Sequence, residues 1–167
     1  YHNAFSHSIK ALGEARTLGD STSVREAYLA LEQITYFYHN DDSLAMEYNR
    51  LVASSWDSRE QAHQAVRALN NRFNYTLSPD DVRDIISRSE DICHKYDFDD
   101  LLINIYLNAT FQELSFEDAE ASARYLAKAE SLIGNFKEEG YYYSAKGFYE
   151  LSIGHSTEAI KSLSHSI

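Results

Sequence analysis

The chain has 167 residues, one proline, six glycines, 44% hydrophobic residues and a formal charge of −11 from 26 acidic and 15 basic residues. That length allows one ordinary domain or several stacked repeats, and so little proline and glycine excludes a turn-rich all-β fold. The acidic balance excludes a phosphate backbone as the direct ligand, since that needs clustered Lys and Arg, and the single Cys93 excludes a disulfide framework and a multi-thiolate metal site.

In chain order, residues 1–20 read as a helix closed by Leu18-Gly19-Asp20. Val24, Ala27, Tyr28, Leu31, Ile34 and Tyr38 then keep helical spacing up to the turn His39-Asn40-Asp41-Asp42. Leu44, Ala45, Tyr48, Leu51 and Val52 predict the next helix, which ends near Ser54-Ser55-Trp56. A second pair runs over 58–74 and 79–95, with Ser78 as N-cap, Pro79 at the first helical position, and Val82, Ile85, Ile86, Ser89, Ile92 and Cys93 on one face. A third pair covers 98–114 and 117–133, where Ser115 and Asp118 have the spacing of a cap. The fourth runs from Lys137 to Ile153, turns at Gly154-His155 and resumes from Ser156 to the last residue.

The two ends share a pattern, because Phe5-Ser6-His7-Ser8-Ile9 returns as Leu163-Ser164-His165-Ser166-Ile167 after 158 residues, which is four units of 39.5. First helices start near residues 22, 58, 98 and 137, at intervals of 36, 40 and 39. The reading is a single repeat domain: the second helix of a preceding repeat over 1–20, then four hairpins over 21–56, 57–96, 97–135 and 136–167. The chain opens on Tyr1 without a charged leader and apolar signal region, and a helix is still running at Ile167, so a longer parent chain is expected. The longest apolar stretch, Leu101 to Phe111, is interrupted by Asn104 and Asn108 and is far short of the roughly 18 to 20 apolar residues of a membrane span.

Residues with catalytic or ligating chemistry do not form a set. The seven histidines include no His-Glu-x-x-His, and neighbours such as Cys93 and His94 point about 100° apart on a helix. Asp97-Phe98-Asp99-Asp100 lacks the central Gly and the terminal Glu of a calcium loop and reads as an acidic turn at a helix start. The glycines are isolated, so no phosphate loop exists. Asn74-Tyr75-Thr76 and Asn108-Ala109-Thr110 have glycosylation spacing, the second inside a predicted helix, and both read as coincidence. No catalytic residue, metal or cofactor is expected.

In the fourth pair Tyr143, Gly147, Tyr149, Gly154, Ala159 and Leu163 stand at the spacing of the tetratricopeptide consensus, which this hairpin resembles. Glu150 departs from it, where the consensus often has an aromatic residue. Tyr106, Leu126, Lys128 and Ala129 of the third pair are similar, with Thr110 in place of the small glycine; Ala45, Met46, Glu47 and Tyr48 match in the first pair, where Gln33 replaces it. Taken whole, the chain is similar to the diverged, longer tetratricopeptide-like repeats of bacterial regulators and sensors.

That resemblance implies an all-α fold, a right-handed α-α superhelix or solenoid of about nine antiparallel helices, whose first helices line a concave groove that receives a peptide. The groove positions it implies are Arg67, Asn70, Asn74, Asn104, Asn108, Tyr141 and Phe148. A side-chain amide both donates and accepts, so the asparagines can pair with a peptide backbone of any sequence. Arg67 can meet a carboxylate, and the aromatics offer rigid contact area. Tyr141-Tyr142-Tyr143 spread about 200° around a helix, so at least one faces away from the core. The expected function is non-enzymatic: a protein- or peptide-binding module in the sensory or regulatory part of a larger signalling or transcription-regulatory protein, with a neutral or basic partner, no direct nucleic-acid contact and no membrane insertion. The alternative is a structural spacer, or a segment that assembles with copies of itself. A cytoplasmic placement and an extracytoplasmic part of a membrane-anchored sensor fit equally.

Overall fold

The computed structural model describes residues 2–75, 77–135 and 139–166, and among them every regular element is helical, with nine α-helices. The chain divides into two compact units, residues 1–75 and 76–167. The division falls inside the second hairpin read from the sequence.

The first unit holds α1 (His2–Leu18), α2 (Ser21–Ile34), α3 (Asp42–Ala53) and α4 (Arg59–Asn71). Gly19 ends α1 in the left-handed conformation at φ 69°, which a residue without Cβ adopts at no steric cost. Asp20 then caps α2, accepting from the backbone N–H of Thr22 and Ser23, both at 3.1 Å. α2 packs on α1, α3 and α4, and α3 also packs on α4. Buried Ala27, Tyr28, Leu29 and Leu31 of α2 therefore meet Leu12 and Ala15 of α1 and Ala45, Val52 and Ala53 of α3 in one core. Past Ile34 the helix widens into a π turn, Thr35–His39, which Asn40 stops at φ 51°. Asp41 and Ser58 cap α3 and α4 through their side chains. After Asn71 the chain tightens into a 3₁₀ turn, Arg72–Asn74, so the helix predicted to reach residue 74 changes its hydrogen bonding for its last turn.

The second unit holds α5 (Pro79–Tyr96), α6 (Asp99–Ser115), α7 (Ala119–Leu132), α8 (Glu139–Ser152) and α9 (Ser156–His165). Ser78 and Asp81 form a reciprocal capping box around Pro79. At the next boundary Asp97 is left-handed, and Asp99 and Asp100 lie in the first turn of α6, where the helix dipole favours negative charge. α7 is capped by Asp118, whose side chain accepts from the Ala121 N–H at 2.8 Å. Ser115, the other half of the predicted cap, is instead the last residue of α6, and its hydroxyl donates to the Gln112 carbonyl at 2.6 Å. The sequence start at Lys137 and the repeated Ile167 lie outside the described residues, as does Thr76.

α6 packs on α5, α7 and α8, while α8 packs on α7 and α9. The α8–α9 crossing shows why small residues stand where they do. A Cβ built on Gly147 would lie 2.6 Å from Leu163 Cγ and 3.2 Å from the Ala159 carbonyl oxygen, closer than packed atoms approach. Gly154 closes the hairpin at φ 82°. Glu150 accepts a hydrogen bond from Ser162 at 2.7 Å, so a polar pair ties α8 to α9. Thr110 of α6 is fully buried and turns its hydroxyl onto its own helix at the Tyr106 carbonyl, 2.9 Å away.

Gly147→Val forces α8 and α9 apart, and urea unfolding is expected to show a loss of about 1–3 kcal/mol. Gly13→Ala in α1, where a Cβ meets nothing within 4 Å, is expected to gain about 0.5–1 kcal/mol in the same assay.

Candidate functional site

The positions singled out in the sequence fall into separate neighbourhoods. In the second unit Asn108 of α6 and Tyr141 of α8 meet directly, the phenol donating to Asn108 Oδ1 at 2.5 Å. Phe111, one turn further along α6, lies with its ring centroid 5.5 Å from that of Tyr141 and 5.8 Å from that of Phe148. Tyr141 and Phe148 are seven residues apart, hence on one face of α8, and remain 39% and 50% exposed. Leu151 continues the exposed strip at 52%. Burial raises the Tyr141 phenol above its ordinary value, so it stays protonated and keeps donating to Asn108. Asn104, a turn earlier on α6, donates to the Asp100 carbonyl at 3.3 Å.

The three consecutive tyrosines separate as helical geometry requires. Tyr142 is buried and its hydroxyl donates to Glu130 of α7 at 2.7 Å. Tyr143 is half-buried against Tyr142 and His165. Tyr141 is the member that faces outward onto the α6–α8 face.

In the first unit Arg67, Asn70 and Asn74 lie along α4 and the 3₁₀ turn that follows it. Arg67 approaches Glu26 of α2 at 3.4 Å, an exposed pair of little energetic weight. Asn70 is half-buried. Asn74 is exposed, and its backbone carbonyl accepts from the Tyr36 hydroxyl at 2.7 Å. These residues edge a polar seam between α2 and α4. Gln61 donates to the Ser21 hydroxyl at 2.7 Å, and Gln64 donates to Glu26 at 2.9 Å. The seam ends at Glu32, 2% exposed, which accepts from Asn71 and from the Tyr75 hydroxyl, each at 2.8 Å.

Sequence reasoning did not single out this carboxylate, because Asn71 and Tyr75 lie 39 and 43 positions away. Desolvation raises the Glu32 pKa, and the hydrogen bonds from Tyr75 and Asn71 offset only part of that. Arg25 was also missed. It is 8% exposed and caps the end of α3 by donating to the Val52 and Ser55 carbonyls.

Elsewhere in the second unit Glu90 of α5, Tyr106 of α6 and Lys128 of α7 converge. Glu90 accepts from Tyr106 at 2.7 Å and from Lys128 at 2.6 Å, and the Lys128 ammonium lies 5.3 Å from the Tyr106 ring centroid. Burial works to raise the Glu90 carboxyl, but the hydrogen bonds and the Lys128 charge outweigh it and hold the group below its ordinary value. The trio is closed on itself. Cys93 is wholly buried, and desolvation pushes its thiol up to about 12, so it is a packing residue rather than a nucleophile. Among the described residues no three His, Cys, Asp or Glu side chains gather where they could hold a metal ion.

One more side chain that the sequence did not mark lines a cavity of about 180 Å³ at the shared end of α5, α6 and α7: Glu113, 4% exposed, facing the same space as Arg83 and Arg124. Burial raises its pKa, Asp118 adds to that, and Arg83 and Arg124 oppose it.

Because Glu32 titrates above its unfolded value, its contribution to stability is full below the ordinary carboxylate range and is lost as pH rises through the folded-state value. Urea midpoints measured from about pH 4 to about pH 8 are expected to fall less steeply for Glu32→Gln than for the parent chain. Equal slopes would show that Glu32 is not desolvated.

Compared with known proteins, the chain matches no family model, and no curated protein or solved structure is significantly similar to it.

Proposed function

We propose that this chain is a tetratricopeptide-like helical-repeat module that binds a peptide or protein segment, and that the face formed by α6 and α8 is its contact surface. The observation that carries the reading is the exposed aromatic strip of Tyr141 and Phe148 beside Phe111, set next to the amide of Asn108. Rigid aromatic area with adjacent donors and acceptors is the composition of binding hot spots. Packing of alternate helices, α2 on α4 and α6 on α8, supports a solenoid of the tetratricopeptide kind. So does the Gly147–Ala159–Leu163 approach. In such a solenoid the first helices of the hairpins face the groove, and α6 and α8 are first helices.

With a net charge of −11 the partner is neutral or basic. The module serves the sensory or regulatory part of a larger signalling or transcription-regulatory protein on this reading. A second reading, a structural spacer, is favoured by the internal use of polar groups, since Asn108 is bonded to Tyr141 and Arg67 faces Glu26.

Selection from a random peptide display library separates the two. Binding predicts enrichment of peptides that are neutral or basic, and Tyr141→Ala and Phe148→Ala are each expected to weaken a selected peptide by about 1–3 kcal/mol, read as Kd by titration. A spacer enriches nothing while its unfolding curve stays intact.

A further inference from the structure

The N-terminal turns of α5 and α7 and the C-terminal turn of α6 meet at one end of the second unit, as three successive antiparallel helices must. Between them lies the cavity of about 180 Å³. That is room for a small molecule and too little for a folded peptide. Glu113 is its buried carboxylate. The Glu113 backbone carbonyl accepts from the Phe116 and Asp118 N–H groups, but among the described residues no group donates to its side-chain carboxylate, and no cation pairs with that carboxylate within contact distance. The carboxylate faces the cavity, which is the side from which a donor can reach it.

The other polar groups narrow what fills it. Arg83 and Arg124 line the same cavity and are close enough for their charges to act on Glu113. Each is also paired to an acid one turn away on its own helix, Arg83 with Asp80 and Arg124 with Glu120. Those pairs are exposed and of little weight, so either guanidinium is available to a ligand. Asp118 lines the cavity too, with one oxygen committed to capping α7. A simple cation would satisfy Glu113 and meet two guanidinium groups. A simple anion would satisfy the arginines and meet Glu113. The remaining lining is apolar or aromatic, from Pro79, Phe116, Ala121 and Tyr125.

We infer that this cavity binds a small zwitterion of the α-amino acid class, its ammonium on the Glu113 carboxylate, its carboxylate between Arg83 and Arg124, and its side chain against Phe116 and Tyr125. An ammonium carries three donors and no acceptor, which complements an acceptor-only group with open valences. A guanidinium pair is the usual partner of a carboxylate. The inference is independent of peptide binding on the α6–α8 face.

Calorimetric titration of the full chain with each proteinogenic L-amino acid tests it. At least one is expected to bind saturably with Kd below about 1 mM. For L-leucine, if it binds, the comparison ligands are 3-methylbutylamine, which lacks the carboxylate, and 4-methylpentanoate, which lacks the amine; for any other the matching pair is used. Each single-charge analogue is expected to bind at least about tenfold more weakly, as is the parent amino acid to Glu113→Gln and to Arg124→Gln. The analogue comparison needs only the parent chain, so it decides even if a variant fails to fold. Absence of binding by every amino acid overturns the inference, and so does equal binding of either analogue, or unchanged affinity in folded Glu113→Gln.

Discussion

Helix α6 has no solvent side broad enough to define a polar face. Leu102, Ile103, Ile105, Tyr106, Leu107, Ala109 and Thr110 are all buried along it, and these positions run round the helix rather than down one stripe. A helix of this kind cannot exist in a lone hairpin. It requires cover from α5, α7 and α8 together, and the packing of the second unit follows from that requirement. α7 and α8 are held to α6 and to each other, and α9 closes the far side of α8 through the gap left by Gly147. In the first unit α2 has the corresponding place, packing on α1, α3 and α4.

Central helices of this sort bring polar groups inside, and each unit deals with them by long-range pairing. Arg25 of α2 reaches the carbonyls of Val52 and Ser55 at the end of α3, so one buried cation adds to the capping that Ser54 gives the Leu51 carbonyl. Gln64 and Asn71 of α4 project donors toward acids on α2. The Gln64 and Asn71 contacts join the alternate helices α2 and α4 of the first unit without a continuous apolar seam.

Much of the helical organisation was legible in the sequence because its signals are local. Ser78-Pro79 and Leu18-Gly19-Asp20 mark boundaries by the conformations those residues adopt, and helices begin at Ser21, Arg59 and Asp99, one residue from the expected starts. Gly147 could be read as a close approach because its neighbours in the hairpin are only a helix away. The site residues were legible as places on helices and not as partners. Asn108 was marked for its amide, but the Tyr141 hydroxyl that it accepts from comes from 33 residues further on. Arg67 was marked as able to meet a carboxylate, and the acid it faces stands 41 positions earlier. Glu113 carried no signal at all, since an isolated glutamate near the end of an apolar helix ordinarily reaches solvent.

Three interhelix glutamates show what distinguishes it. Glu32 is held by two neutral donors, Asn71 and Tyr75. Glu90 is held by the Tyr106 hydroxyl and the Lys128 ammonium. Both therefore contribute to the contacts between helices that their fold needs. Glu113 is nearly as deeply placed as Glu32, yet nothing within the described residues hydrogen-bonds to its carboxylate, and the guanidinium groups nearest in charge are turned to acids on their own helices. If the fold alone required this residue, a leucine at position 113 would serve α6 better, because it would bury without desolvating a charge. A carboxylate kept there without a partner, at the wall of a cavity, is explained by what enters the cavity.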